Sequence, residues 1–131
     1  MSDFSGLKRY AQQMKLEGIG IDGQEKLQKG RVLCVGAGGI GVTLLPYLAG
    51  AGIGTLGIVD DDLIDESNLH RQILYQEQHI HQAKAIIAKK QLQALNSNIN
   101  VQTYPCRLTD IANDVDVVSQ RLKELFSITC P

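Results

Sequence analysis

Apolar and polar positions along the chain follow two periods, and the switches between them predict the elements. Leu7, Tyr10, Ala11 and Met14 recur at helical spacing inside the polar leader 4–30, which predicts a short amphipathic helix. Gly18, Gly20 and Gly23 break it, and Gln24 to Lys29 suits one more helical turn. Arg31-Val-Leu-Cys-Val35 is a compact β-branched run, the mark of a buried strand. Glycines follow at once. Val42 to Ala51 then reads as a helix apolar almost all round, expected to be covered on several sides, with Pro46 arguing against a straight axis. Gly52 and Gly54 end it, and Thr55-Leu-Gly-Ile-Val59 is a second strand.

Asp60 to Gln78 is an acidic, then polar, connection with room for helical turns. Gln82 to Leu95 is the clearest amphipathic helix, with Ala85, Ile86, Ala88, Leu92 and Leu95 on its expected apolar side. Asn96 to Asn98 stops it, and Ile99 to Tyr104 alternates as a third strand. Asp114 to Val118 resembles the start of a fourth strand but runs into a helical pattern, Ser119 to Phe126, with no turn between. Strands alternating with helices argue for an α/β fold: a Rossmann-like parallel sheet with flanking helices, about three strands and an irregular helical tail. The expected organisation is one domain over 1–131, with leader 1–30, Rossmann-like part 31–118 and divergent tail 119–131.

Composition narrows the function. The chain has 131 residues, 44% hydrophobic and 21% charged, enough for one domain with a real core. A net charge of −1 gives no field to hold nucleic acid or an anionic membrane, and with no Trp there are few platforms for stacking bases. Cys34, Cys106 and Cys130 form neither a C-x-x-C zinc pair nor a disulfide framework, and His70, His79 and His81 have no zinc spacing with them, so zinc is not expected. The first ten residues lack the apolar core of a secretory signal, and Ile40 to Ile53 is too short to span a bilayer. A reducing cytoplasm is the expected setting.

The candidate chemistry begins at Gly36-Ala-Gly-Gly-Ile-Gly41. Gly36, Gly38 and Gly41 match G-x-G-x-x-G between a strand and a helix, and Gly39 adds a fourth glycine. Glycines let backbone approach a phosphate, and the free N–H groups at the helix start face it. Asp60 follows about 20 residues later, where a carboxylate accepts from ribose hydroxyls. The loop is not a Walker A motif. Asp60-Asp-Asp62, with Asp65 and Glu66 close behind, holds more carboxylates than a ribose needs and suggests Mg²⁺ arriving with a nucleotide, Asp62 being the candidate contact.

Ser67-Asn-Leu-His-Arg-Gln72 and Lys84 come next. With Arg9-Tyr10, Gly23-Gln-Glu-Lys-Leu27 and the glycine loop, they resemble the ThiF/MoeB/HesA family of ubiquitin-activating-enzyme-like adenylyltransferases, from about Leu7 to Leu108. The resemblance implies attack by a protein's C-terminal Gly-Gly carboxylate on the α-phosphate of Mg-ATP, giving an acyl-adenylate and pyrophosphate. It also implies roles. Gly39 and the loop amides would hold phosphate, Asp60 the ribose, and Ser67, Asn68, Arg71 and Lys84 would belong to the nucleotide site. Arg71 and Lys84 would be the catalytic cations. The implied partner is a ubiquitin-like or sulfur-carrier protein, or a peptide substrate.

The chain also departs from the family pattern. Gln12 stands where relatives carry a second arginine, the D-x-T-D-N turn after the fourth strand is missing, the connection Thr109 to Asp114 is short, and the second half of the domain is absent. A truncated nucleotide-binding half is therefore expected, with a bare strand edge that favours a homodimer or association with a full-length relative. A non-catalytic nucleotide- or partner-binding module is the alternative. An NAD or FAD domain accounts for the glycines and Asp60 but gives Ser67 to Gln72 no role.

Overall fold

The computed structural model describes residues 7–107. The leader forms α1 (Leu7–Met14) and α2 (Gly20–Lys29), followed by β1 (Arg31–Val35), α3 (Gly41–Ala51), β2 (Thr55–Val59), α4 (Lys84–Leu95) and β3 (Asn100–Tyr104). Two single 3₁₀ turns, Glu66–Asn68 and Glu77–His79, interrupt the long connection between β2 and α4. α2 starts at Gly20, a turn earlier than the glycines suggest. The fourth strand and the helical tail expected at 114–126 lie outside the described residues.

All three strands are parallel, in the order β1-β2-β3. Their register places Val35 opposite Val59, and Val59 opposite Tyr104, so the strands end in one row. Everything that leaves the carboxyl ends therefore emerges along one edge: the glycine loop, Asp60 and the segment after Tyr104. Open parallel sheets bind ligands at that edge.

The core forms where α3 and α4 cover the sheet. Leu45 and Val42 from α3, Leu92 from α4, Leu56 and Ile58 from β2, and Val101 from β3 are fully buried. Each stabilises the fold by about 1.5–3 kcal/mol relative to exposure. Two expectations need correction here. On α4, Ile87 is buried and Ile86 is not, because the helical step of about 100° puts Ile87 on the arc with Ala85, Ala88 and Leu92. Leu95, in the last turn, is exposed. On α3 Val42, Leu45 and Ala49 face inward with Leu48 half-buried beside them; Ile40 just before the helix is 86% exposed and Tyr47 is 78% exposed, so one side of this apolar helix is uncovered.

The leader clamps the ends of both core helices. Gln13 and Gln24 each donate from Nε2 to the Ala51 carbonyl, at 2.9 and 3.1 Å. Arg9 donates to the Leu95 carbonyl at 2.9 Å. Buried Asn96 donates from Nδ2 both to the Tyr10 hydroxyl and to the Ala49 carbonyl, each at 2.8 Å. The last carbonyls of a helix lack partners from a following turn, so these side chains, together with the Gly52 N–H on Ala49, cap the ends of both helices. Asn96→Ala removes the donor to the Tyr10 hydroxyl and one of the two donors to the Ala49 carbonyl, and opens a gap, with an expected loss of about 3 kcal/mol. Thermal unfolding should show it as a midpoint lower by roughly 10 °C.

No helix among the described residues is long and apolar enough to cross a membrane.

Candidate functional site

The site begins with backbone geometry at the end of β1. Gly36 has φ +99°, a left-handed conformation that side chains disfavour, and it turns the chain out of the strand. Its N–H donates to the Val59 carbonyl at 2.7 Å, tying the turn to β2. A Cβ on Gly41 would lie 2.3 Å from the Gly36 carbonyl oxygen, so the start of α3 can close onto the turn only through a glycine. Among the described residues, the N–H groups of Gly38, Gly39 and Ile40 take no part in a hydrogen bond. They are unspent donors at the positive end of an 11-residue helix.

Asp60 holds this loop in place. Its Oδ2 accepts from the Ala37 N–H at 2.7 Å and its Oδ1 from the Asp62 N–H at 2.8 Å. Tyr75 supports the loop from the other side: it is buried, and its hydroxyl donates to the Ala37 carbonyl at 2.7 Å. Burial, and then the nearby Asp60 charge, push the Tyr75 hydroxyl far above its ordinary value, so it remains a donor. The same two causes raise the half-buried Cys34 thiol, which donates to the Gly36 carbonyl at 3.2 Å. Cys34 is a structural thiol, as its place inside a strand suggests.

The connection after β2 brings a cation to the loop. Asp65 caps the first 3₁₀ turn: its Oδ1 accepts from the Ser67 N–H at 2.9 Å and hydroxyl at 2.6 Å, while Asn68 Oδ1 accepts from the Asp65 N–H at 3.2 Å. That turn delivers the next residues onto the glycines. Arg71 Nη1 lies 3.7 Å from where a Cβ on Gly39 would stand, and Gln72 Nε2 lies 3.7 Å from the equivalent point on Gly38. Gly36, Gly38, Gly39, Gly41, Asp60 and Arg71 are thus brought together. Ser67 and Asn68 sit on the adjoining turn, each bonded to Asp65.

Lys84, at the start of α4, is only 5% exposed, and its Nζ lies 3.6 Å from Asp62 Oδ2. A buried lysine needs such a partner. Asp61 pairs with Arg107 at 2.8 Å. Asp60, Asp61 and Asp62 can bring one oxygen each within 4.8 Å of one another. A cleft of about 360 Å³ opens beside them at the strand ends, bounded by Gly36, Asp60, Asp61, Cys106 and Arg107. Of the histidines, His70 and His81 are exposed and His79 caps its own turn, accepting from the Gln76 N–H at 3.0 Å.

Sequence reasoning did not assign Asp65, Gln72 or Tyr75 a part in the site. Asp65 carried a signal, the D-x-x-N capping pattern; Tyr75 carried only that of an aromatic residue in a polar connection. The Ser67 hydrogen bonds hold the exposed Asp65 carboxyl below its ordinary range. A depressed native value means the cap stabilises the fold above the ordinary carboxylate pKa and loses that contribution as pH falls through the native value. Melting temperature should consequently drop less steeply on acidification in Asp65→Asn than in the parent.

The model of the ThiF family matches residues 10–127. The chain belongs to the ThiF family. A sulfur carrier protein adenylyltransferase of Thermus thermophilus is 50% identical over 103 residues, 79% of this chain and 38% of that protein. The adenylyltransferase and sulfurtransferase UBA4 of Candida glabrata is 52% identical over 101 residues, 76% of this chain and 23% of that protein. The ThiF-family chain thus spans well under half the length of either relative. The crystal structure of E. coli MccB with ATP matches it with a TM-score of 0.66 at 33% identity, over 74% of this chain and 28% of that one.

Proposed function

We propose that this ThiF-family chain is the nucleotide-holding part of an adenylyltransferase that activates the C-terminal carboxylate of a sulfur-carrier or ubiquitin-like protein. The observation that carries the reading is the Arg71 guanidinium resting against Gly39, beside unspent loop N–H donors. That is the arrangement a nucleotide phosphate requires. The ATP named with E. coli MccB and the sulfur carrier named with the Thermus relative support the choice of substrates.

In the proposed reaction a carboxylate oxygen of the carrier attacks the α-phosphorus of ATP. The bond from that phosphorus to the bridging oxygen breaks and pyrophosphate leaves with the electron pair. Both reactants are anionic, so catalysis here is positioning and charge neutralisation. The loop N–H groups and Asn68 hold the phosphates, with Ser67 beside them. Arg71 offsets the charge that builds up on the phosphoryl oxygens. Lys84 brings a second cation from the start of α4. Asp60 accepts from the ribose hydroxyls with the lone pairs its two loop hydrogen bonds leave over. The oxygen-rich Asp60–Asp62 run has the donor chemistry for Mg²⁺, which, bound with the triphosphate and contacted by Asp62, would neutralise its charge. The uncovered side of α3 favours assembly with a second copy or a full-length relative.

Pyrophosphate exchange tests the reading. Labelled pyrophosphate should enter ATP only when a Gly-Gly-tailed carrier protein is added, and a carrier shortened by its last glycine should give none. ATP binding without exchange leaves the chain a nucleotide-binding module. Binding of NAD in place of ATP overturns the proposal.

A further inference from the structure

The cleft at the strand ends has a cation of its own. Arg107 lines it, together with Gly36, Asp60 and Asp61, while neither Arg71 nor Lys84 borders it. Two strand-end valines, Val35 and Val59, give it apolar wall. Arg107 donates from Nε to Asp61 Oδ2 at 2.8 Å, joining the segment after β3 to the segment after β2. The backbone fixes that meeting. The Tyr104 carbonyl accepts from the Asp60 N–H at 3.2 Å and from the Cys106 N–H at 2.8 Å. The second of these bonds spans two residues, a γ-turn centred on Pro105, whose ring presets its φ. Arg107 is thus delivered beside Asp60 by a stiff turn. An ion pair this exposed contributes little to the fold, so its place at the cleft calls for another role.

We infer that Arg107, held by Asp61, lies against the flat face of the nucleotide's base and tightens binding at that end of the site. The inference rests on the reading of the loop as the ATP site. With the phosphates on the loop N–H groups and Arg71, and the ribose on Asp60, the base is the part of the nucleotide left for this cleft. Val35 and Val59 offer apolar surface to a ring. A guanidinium is planar and weakly hydrated, and it stacks on aromatic faces. Because Asp61 already holds Nε, less side-chain freedom is lost when the base arrives.

Arg107→Ala, Arg107→Lys and Asp61→Ala test this in the full chain. Each is melted without ligand and titrated calorimetrically with Mg-ATP and with Mg-tripolyphosphate, which carries the phosphates and no base. Ligand-free midpoints equal to the parent's are expected, since both side chains are exposed. In Arg107→Ala the ATP affinity falls about tenfold, the size of one lost stacking contact, and tripolyphosphate affinity is unchanged. Arg107→Lys keeps the charge without the plane and recovers only part of that loss. Asp61→Ala, which releases the guanidinium, weakens ATP alone by about threefold. Equal losses for both probes in Arg107→Ala would make Arg107 a phosphate cation and overturn the inference. Parental ATP affinity in Arg107→Ala or in Arg107→Lys also overturns it, and leaves the nucleotide site standing. A parent that binds neither probe removes the nucleotide site itself and the inference with it.

Discussion

Gly41→Ala is expected to destabilise the chain by about 3 kcal/mol, lowering the melting midpoint by roughly 10 °C, and to abolish ATP binding. The added Cβ would sit 2.3 Å from the Gly36 carbonyl oxygen and 3.2 Å from its carbon. These are backbone atoms and cannot swing aside, so either the turn opens or α3 shifts. Opening the turn breaks the Gly36–Val59 and Ala37–Asp60 hydrogen bonds, which shape the loop. Gly50→Ala is the matched control. A Cβ there meets nothing within 4 Å, and alanine in a helix interior should stabilise by about 0.5–1 kcal/mol. Equal melting of the two variants would contradict the close approach of Gly36 and Gly41.

Arg71→Ala should leave folding intact and remove most of the chemistry. The side chain is exposed, so its loss should move the midpoint by less than about 0.5 kcal/mol in free-energy terms. Carrier-dependent pyrophosphate exchange should fall by about 10²–10³, the size of losing one preorganised charge aimed at a transition state. Arg71→Lys should recover only part of that rate, because an ammonium keeps the charge but not the planar fork that binds two oxygens. An Arg71→Ala enzyme with parental exchange would assign the phosphate contact elsewhere, with Lys84 the other cation proposed for the site.

The sheet and the glycine loop were legible for simple reasons. Short, continuous apolar runs bounded by glycines mark β1 and β2, and glycine is the residue that a left-handed Gly36 and a crowded Gly41 require. Parallel pairing followed from the helices between the strands. The faces of the helices were less legible. Eleven residues with little polar content do not say which side of α3 is inward, and an error of one residue on α4 exchanges Ile86 for Ile87. Partnerships across the chain were not legible at all. Tyr75 meets a carbonyl 38 residues earlier, and Gln72 lies under a glycine that has no side chain to advertise the contact. Lys84 is expected at the nucleotide site from the family resemblance, but its burial against Asp62 shows only in the fold.

The clamp between the leader and the core helices also sets an order of assembly during synthesis. Gln13 and Gln24 find the Ala51 carbonyl after 38 and 27 further residues, but Tyr10 meets Asn96 only after 86. At 5–20 residues per second that last partner emerges roughly 4–17 s after the tyrosine. On the ribosome, the α1 glutamine and the Tyr10 ring therefore have their contacts at the end of α3 within reach while the Tyr10 hydroxyl still lacks Asn96. Docking of α1 is thus completed only after α4 has been made.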